Sequence, residues 1–128
     1  MINEIESVTV NLAKLALDAA SMRHQAIANN IANANSSGYA PLAVNFDEQL
    51  ENLRTSLQSR QSIAPEMLQG IKPFIEEQQT LLGGGATKVM LDMEVAKLSQ
   101  NVVHYQALLR GLSKSMSIVS VAINEGKR

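Results

Sequence analysis

The chain has 128 residues, with 11 basic and 12 acidic side chains and no cysteine. That length fits one domain, the near-neutral balance lacks the basic footprint of a nucleic-acid binder, and the missing thiols exclude a disulfide scaffold, a thiolate metal site and a cysteine nucleophile. Hydrophobic residues make up 45% of the chain but aromatics only 3%, so apolar surface has to come from Leu, Ile, Val, Met and Ala, the residues of helix seams.

The first element is a helix over residues 1–36. Its opening, Met1-Ile2-Asn3-Glu4-Ile5-Glu6, is acidic where a secretory signal would be basic. No apolar run in the chain reaches the roughly 18 residues that span a bilayer, so the sequence reads as having neither a membrane anchor nor a cleaved export signal. The prolines are Pro41, Pro65 and Pro73, which leaves both ends free of helix breakers. One apolar seam runs Ile5, Val8, Leu12, Leu15, Ala19, Met22, Ala26, and a second runs Val10, Ala13, Leu17, Ala20, His24, Ile27, Ile31, Ala34. One partner helix covers one seam. A second seam implies a further partner or an interaction surface.

Residues 37–87 form the central segment. Phe46, Leu50, Leu53 and Leu57 recur at helical spacing, which predicts a short amphipathic helix near 46–58 with Asn45 as its cap and Asp47 and Glu48 in its first turn. Residues 59–88 have no firm period, and the chain shows no strand-like alternation. The expectation is an irregular centre, mobile until assembled. Charge follows the same division. Residues 41–87 carry three basic and six acidic side chains, and residues 88–128 carry six basic and three acidic, an opposition able to guide docking between segments or subunits.

The last element is a helix over 88–125. Leu91, Val95, Leu98, Val102, Tyr105, Leu109, Leu112, Met116, Val119 and Ile123 alternate in steps of four and three, a heptad seam long enough for a coiled coil. Asp92 and Glu94 suit the helix N-terminus, and Lys127 and Arg128 suit its end; Gly126 is the stop signal. The fold class expected is therefore all-α: long N- and C-terminal helices paired as an elongated coiled coil around a short helix. On this seam assignment Leu109→Asp abolishes folding.

Candidate chemistry is sparse. His24 and His104 lack a second histidine at i+3 or i+4, so neither forms a helical metal pair. Asp92 and Glu94 are two residues apart and do not share a helix face. Gly83 to Lys88 precedes a helix but lacks the order of a phosphate loop and has no strand before it. No Ser/His/Asp arrangement can be drawn. The six methionines suit adaptable packing. The sequence reads as a non-enzyme that takes no cofactor, metal, nucleic acid or small-molecule substrate.

One tract resists this description. Ala28-Asn29-Asn30-Ile31-Ala32-Asn33-Ala34-Asn35 places four asparagines in seven residues, followed by Ser36-Ser37-Gly38-Tyr39. Asparagine is a poor helix former. Two explanations stand side by side: a fraying helix end capped by Gly38, or an amide-lined subunit contact that fixes register.

The tract, with Arg23 before it and Phe46 and Leu50 after it, resembles the N-terminal signature of bacterial flagellar axial proteins, the rod, hook and hook-associated family. Asp92-Met93-Glu94-Val95-Ala96-Lys97-Leu98, Asn101, Tyr105-Gln106-Ala107-Leu108, Leu112-Ser113-Lys114 and Ile123 are similar to the C-terminal helix of the proximal rod proteins. The likeness is weakest over 55–85. This chain has Ser36-Ser37 where the family usually has Thr-Pro, and Ala40-Pro41 where a basic residue often follows the tyrosine.

The resemblance implies a structural subunit of the periplasmic rod, exported without cleavage by the flagellar type III system. It implies a homo-oligomer in contact with other rod proteins, the rod-base and MS-ring junction protein and the export gate. It implies assembly or core contacts at Leu12, Leu15, Met22, Ile27, Asn29, Asn30, Ile31, Asn33, Asn35, Gly38, Tyr39, Leu98, Val102, Tyr105, Leu109, Leu112 and Met116. The alternatives are a cytoplasmic coiled-coil adaptor or export chaperone, or a different rod or hook subunit. Asn33→Ala leaves an adaptor helix intact but weakens rod assembly.

Overall fold

The computed structural model describes residues 2–59, 65–78 and 90–126. Helix α1 spans Ile2–Ala32, strand β1 Leu42–Asn45, helix α2 Asp47–Gln58, helix α3 Pro65–Gln69, strand β2 Phe74–Glu77 and helix α4 Leu91–Gly126. The protein is mostly helical, with the two long helices at its ends. No helix among the described residues is long and apolar enough to cross a membrane.

Helices α1 and α4 pack against each other and run antiparallel. Asn30 meets Glu94 and Ala20 meets Asn101, while Thr9 and Ala13 share a notch with Leu108 and Leu112. Alanine supplies the close approach. Ala19 and Ala20 are fully buried, and the thin wall lets the short Asn101 amide donate to the Ala20 carbonyl at 2.8 Å. At 1.5 Å per residue α4 is a rod of about 54 Å.

The expectation of an all-α fold is corrected by a two-stranded antiparallel sheet. Leu42 pairs with Glu77, Ala43 with Glu76, Val44 with Ile75 and Asn45 with Phe74, and the Gln78 N–H closes on the Pro41 carbonyl at 2.8 Å. Four-residue strands are too short for alternation to register. Phe-Ile-Glu-Glu has none, because all of β2 is exposed. The expectation of an irregular segment over 59–88 is likewise corrected at α3 and β2.

Helix boundaries shift as well. Helix α1 ends at Ala32 rather than residue 36, because Asn33–Asn35 form a turn in which the Asn33 amide donates to the Asn29 carbonyl. Helix α4 begins at Leu91 rather than 88, and Gly126 is its last residue. Helix α2 matches the expected short helix, but Asn45 is not its cap. Asn45 belongs to β1 and donates to Glu76, while the Phe46 carbonyl accepts the first helical bond from Leu50. Gly83-Gly84-Gly85, Lys88, Lys127, Arg128 and the side chains of Ile5 and Leu57 lie outside the described residues.

The apolar core gathers at one end of the hairpin, in Ala19, Ala20, Ala26, Ile27, Phe46, Leu53 and Leu68. Helix α4 contributes no apolar side chain to it. Its two buried residues are Glu94 and Asn101. The side of α4 turned from solvent runs Glu94, Leu98, Asn101, Leu108, Leu112, Ser115, Val119. That line keeps the heptad period, but it corrects the expected seam, which shares only Leu98, Leu112 and Val119 with it. Leu91, Val95, Val102, Tyr105, Leu109, Met116 and Ile123 are 38–55% exposed. Leu109 is therefore no core residue, and the expectation that Leu109→Asp abolishes folding is withdrawn.

Candidate functional site

The densest polar constellation is built around Asn30, two residues before the end of α1 and 1% exposed. Its Nδ2 donates to the Leu42 carbonyl at 2.9 Å and to Glu94 Oε2 at 3.1 Å. Its Oδ1 accepts from the Leu42 N–H at 2.7 Å and from the Tyr39 hydroxyl at 2.9 Å. A carboxamide has two donors and two acceptor positions, and all four are used. Asn30 thus takes the place of a neighbouring strand along the free edge of β1, and it ties α1, the 33–41 turn, the sheet and α4 together at one atom group.

Glu94 closes the node. Its other oxygen accepts from Lys97 Nζ at 3.0 Å, one turn along α4. Glu94 lies in the first turn of α4, as the dipole reading expects, and its carboxylate is in addition buried and bonded to Asn30, which the sequence does not show. Burial, then the charges of Glu94 and Glu77, push the Tyr39 hydroxyl above its usual value of 10.0. The phenol stays protonated and keeps donating to Asn30.

Gly38 makes the turn possible. It is the residue at φ +76°, and an added Cβ would meet nothing within 4 Å, so the need for glycine there is conformational rather than spatial. Gln49 repeats the Asn30 device on a smaller scale. Its Nε2 donates to the Lys72 carbonyl and its Oε1 accepts the Lys72 N–H, both at 3.0 Å, which joins α2 to the approach of β2. The sequence reading missed Gln49, since nothing marks a glutamine in an amphipathic helix as a backbone clasp.

The remaining predicted residues divide by location. Leu12, Leu15, Met22, Ile31 and Asn33 are half-buried on α1 and its end, Ile27 is buried, and Asn29, Asn35 and Gly38 are exposed; Tyr39 is half-buried. On α4, Leu98 and Leu112 are half-buried beside α1, whereas Val102, Tyr105, Leu109 and Met116 face outward. Of the two explanations offered for the asparagine tract, neither describes Asn30, whose four bonds are all spent inside the chain.

Beside the node a groove of about 570 Å³ opens between α1, β1 and α4, with Ile27, Leu42, Lys97, Asn101 and His104 on its walls. Its charged groups pair with one another, Arg23 with Asp47 at 2.9 Å and Lys97 with Glu94. Among the described residues no group of three or more His, Asp or Glu side chains converges as a metal site would require. The arrangement is suited to locking elements together. The chain matches no protein-family model and no curated protein.

Proposed function

We propose that this chain is a structural, self-assembling subunit of the bacterial flagellar basal-body rod, a proximal-rod protein similar to FlgB. On this reading it is exported through the type III apparatus and joined in the periplasm to further copies, to other rod proteins and to the rod base. The observation that carries the self-assembling part is the outward face of α4. A helix of 36 residues leaves Leu91, Val95, Val102, Tyr105, Leu109, Met116 and Ile123 open to water, an uncovered apolar surface of the kind that marks an interaction site.

Covering that face with further copies would give the stiffness that torque transmission requires. The flagellar assignment itself rests on the asparagine tract and the α4 residues that resemble rod proteins.

Deleting the gene in its native host and imaging basal bodies by electron microscopy tests the assignment. Membrane rings without rods, restored by the wild-type gene, are the expected result. Normal rods and swimming contradict it and shift the weight to a cytoplasmic helical adaptor.

A further inference from the structure

Charge is distributed unevenly along the described fold. From Leu42 to Gln78 the described residues include Asp47, Glu48, Glu51, Glu66, Glu76 and Glu77 against Arg54 and Lys72. Beyond Asn101, α4 carries Arg110 and Lys114 against Glu125. The two cations lie one turn apart on one open patch of α4 with Leu109, Ser113 and Ser117. Like charges at that spacing repel, and neither forms an ion pair with another described residue.

The acidic partner surface is the face of the strand pair on which Phe74 and Glu76 are exposed. The register puts Ala43 and Asn45 of β1 on the same side as Phe74 and Glu76 of β2. Phe74 is 48% exposed, and the Asn45 amide holds Glu76 at 3.3 Å. Both patches thus set an apolar side chain beside charge of one sign, and the signs are opposite. They cannot meet within one chain. The sheet is tied to α4 at Glu94 through Asn30, and Arg110 and Lys114 lie about 24–30 Å further along the rod.

We propose that the Leu109–Lys114 face of α4 in one copy docks on the Phe74–Glu76 face of the strand pair in a second copy. This rests on the reading of the chain as a self-assembling subunit. Leu109 and Phe74 exclude water, Arg110 stacks on the aromatic face, and Lys114 and Arg110 pair with Glu76. Because the two surfaces differ, the contact is head-to-tail and leaves a free patch at each end of the assembly, so it propagates.

The absence of native cysteine makes a direct test available. The Asn45→Cys/Ser113→Cys double variant, with one thiol opposite Phe74 on the strand pair and the other on the α4 patch, keeps Glu76, Arg110 and Lys114 in place; it is concentrated, oxidised with glutathione disulfide and run on a non-reducing gel, beside both single variants and with sedimentation velocity on the wild type. The expected result is a ladder of dimers, trimers and larger species for the double variant only, suppressed by raising salt from about 0.05 M to about 0.5 M, where exposed charges are screened. Equal mixing of the two single variants gives a cross-linked dimer and nothing larger. A wild type that associates while the double variant gives no ladder overturns this contact and leaves the assembly reading standing. A wild type that stays monomeric at every concentration overturns both.

Discussion

The two halves of α4 are held by opposite means. Near its N-terminus the helix buries a carboxylate and an amide, each bonded to a named partner on α1. From Val102 onward it has no buried residue: Leu108, Leu112 and Val119 are half-buried, and its other large apolar side chains line the outside. Directional bonds at one end fix how the chain folds, since a saturated amide node accepts one geometry. Non-directional apolar surface at the other end tolerates several partners and is suited to being covered later. Fold specificity and assembly capacity therefore sit in different segments of one helix.

The largest effect that would break this division is expected at the node. Asn30→Ala strands the Leu42 N–H and carbonyl, the Tyr39 hydroxyl and one oxygen of Glu94, and losing several buried partners at once costs about 3 kcal/mol or more. Chemical denaturation followed by circular dichroism measures it, and a loss below about 1 kcal/mol would show that the node is not the clamp described. Gly38→Ala comes next, at about 1–2 kcal/mol, because an L-residue pays for the left-handed backbone. Gly38→Asn should recover much of that loss in the same titration.

Tyr39→Phe is smaller, about 1 kcal/mol, for one hydroxyl donor lost to a buried acceptor. It also carries a pH signature. The hydroxyl is raised above 10.0 in the folded chain, so its contribution is complete below the unfolded value and is lost as pH rises through the folded one. Wild-type stability should fall more steeply above pH 10 than that of the phenylalanine variant. The smallest effect on folding is expected on the outer stripe, where Leu109→Gln should change stability by no more than about 0.5 kcal/mol.

Much of this was legible in the sequence. Proline-free ends and apolar periodicity located both long helices, and the Phe46–Leu57 spacing located α2. The phase of α4 was not legible. Two heptad lines lie side by side on that helix and share Leu98, Leu112 and Val119. The buried line is interrupted by Glu94 and Asn101, so a search for apolar residues selects the exposed line. The asparagine tract was visible as an anomaly, but one residue of it makes the node, and its partner Leu42 sits in a strand too short to show a pattern. Pairing of Asn30 with Glu94, 64 positions away, is a tertiary fact with no local signal.

The central claim is that the open face of α4 is an assembly surface on a chain folded by other contacts. Sedimentation velocity over a range of concentrations tests it most directly, comparing the wild type with a Val102→Gln/Leu109→Gln/Met116→Gln variant. The account predicts concentration-dependent association for the wild type, and a monomer with unchanged helicity and melting for the variant. Unfolding of the variant, or association equal to that of the wild type, would contradict it.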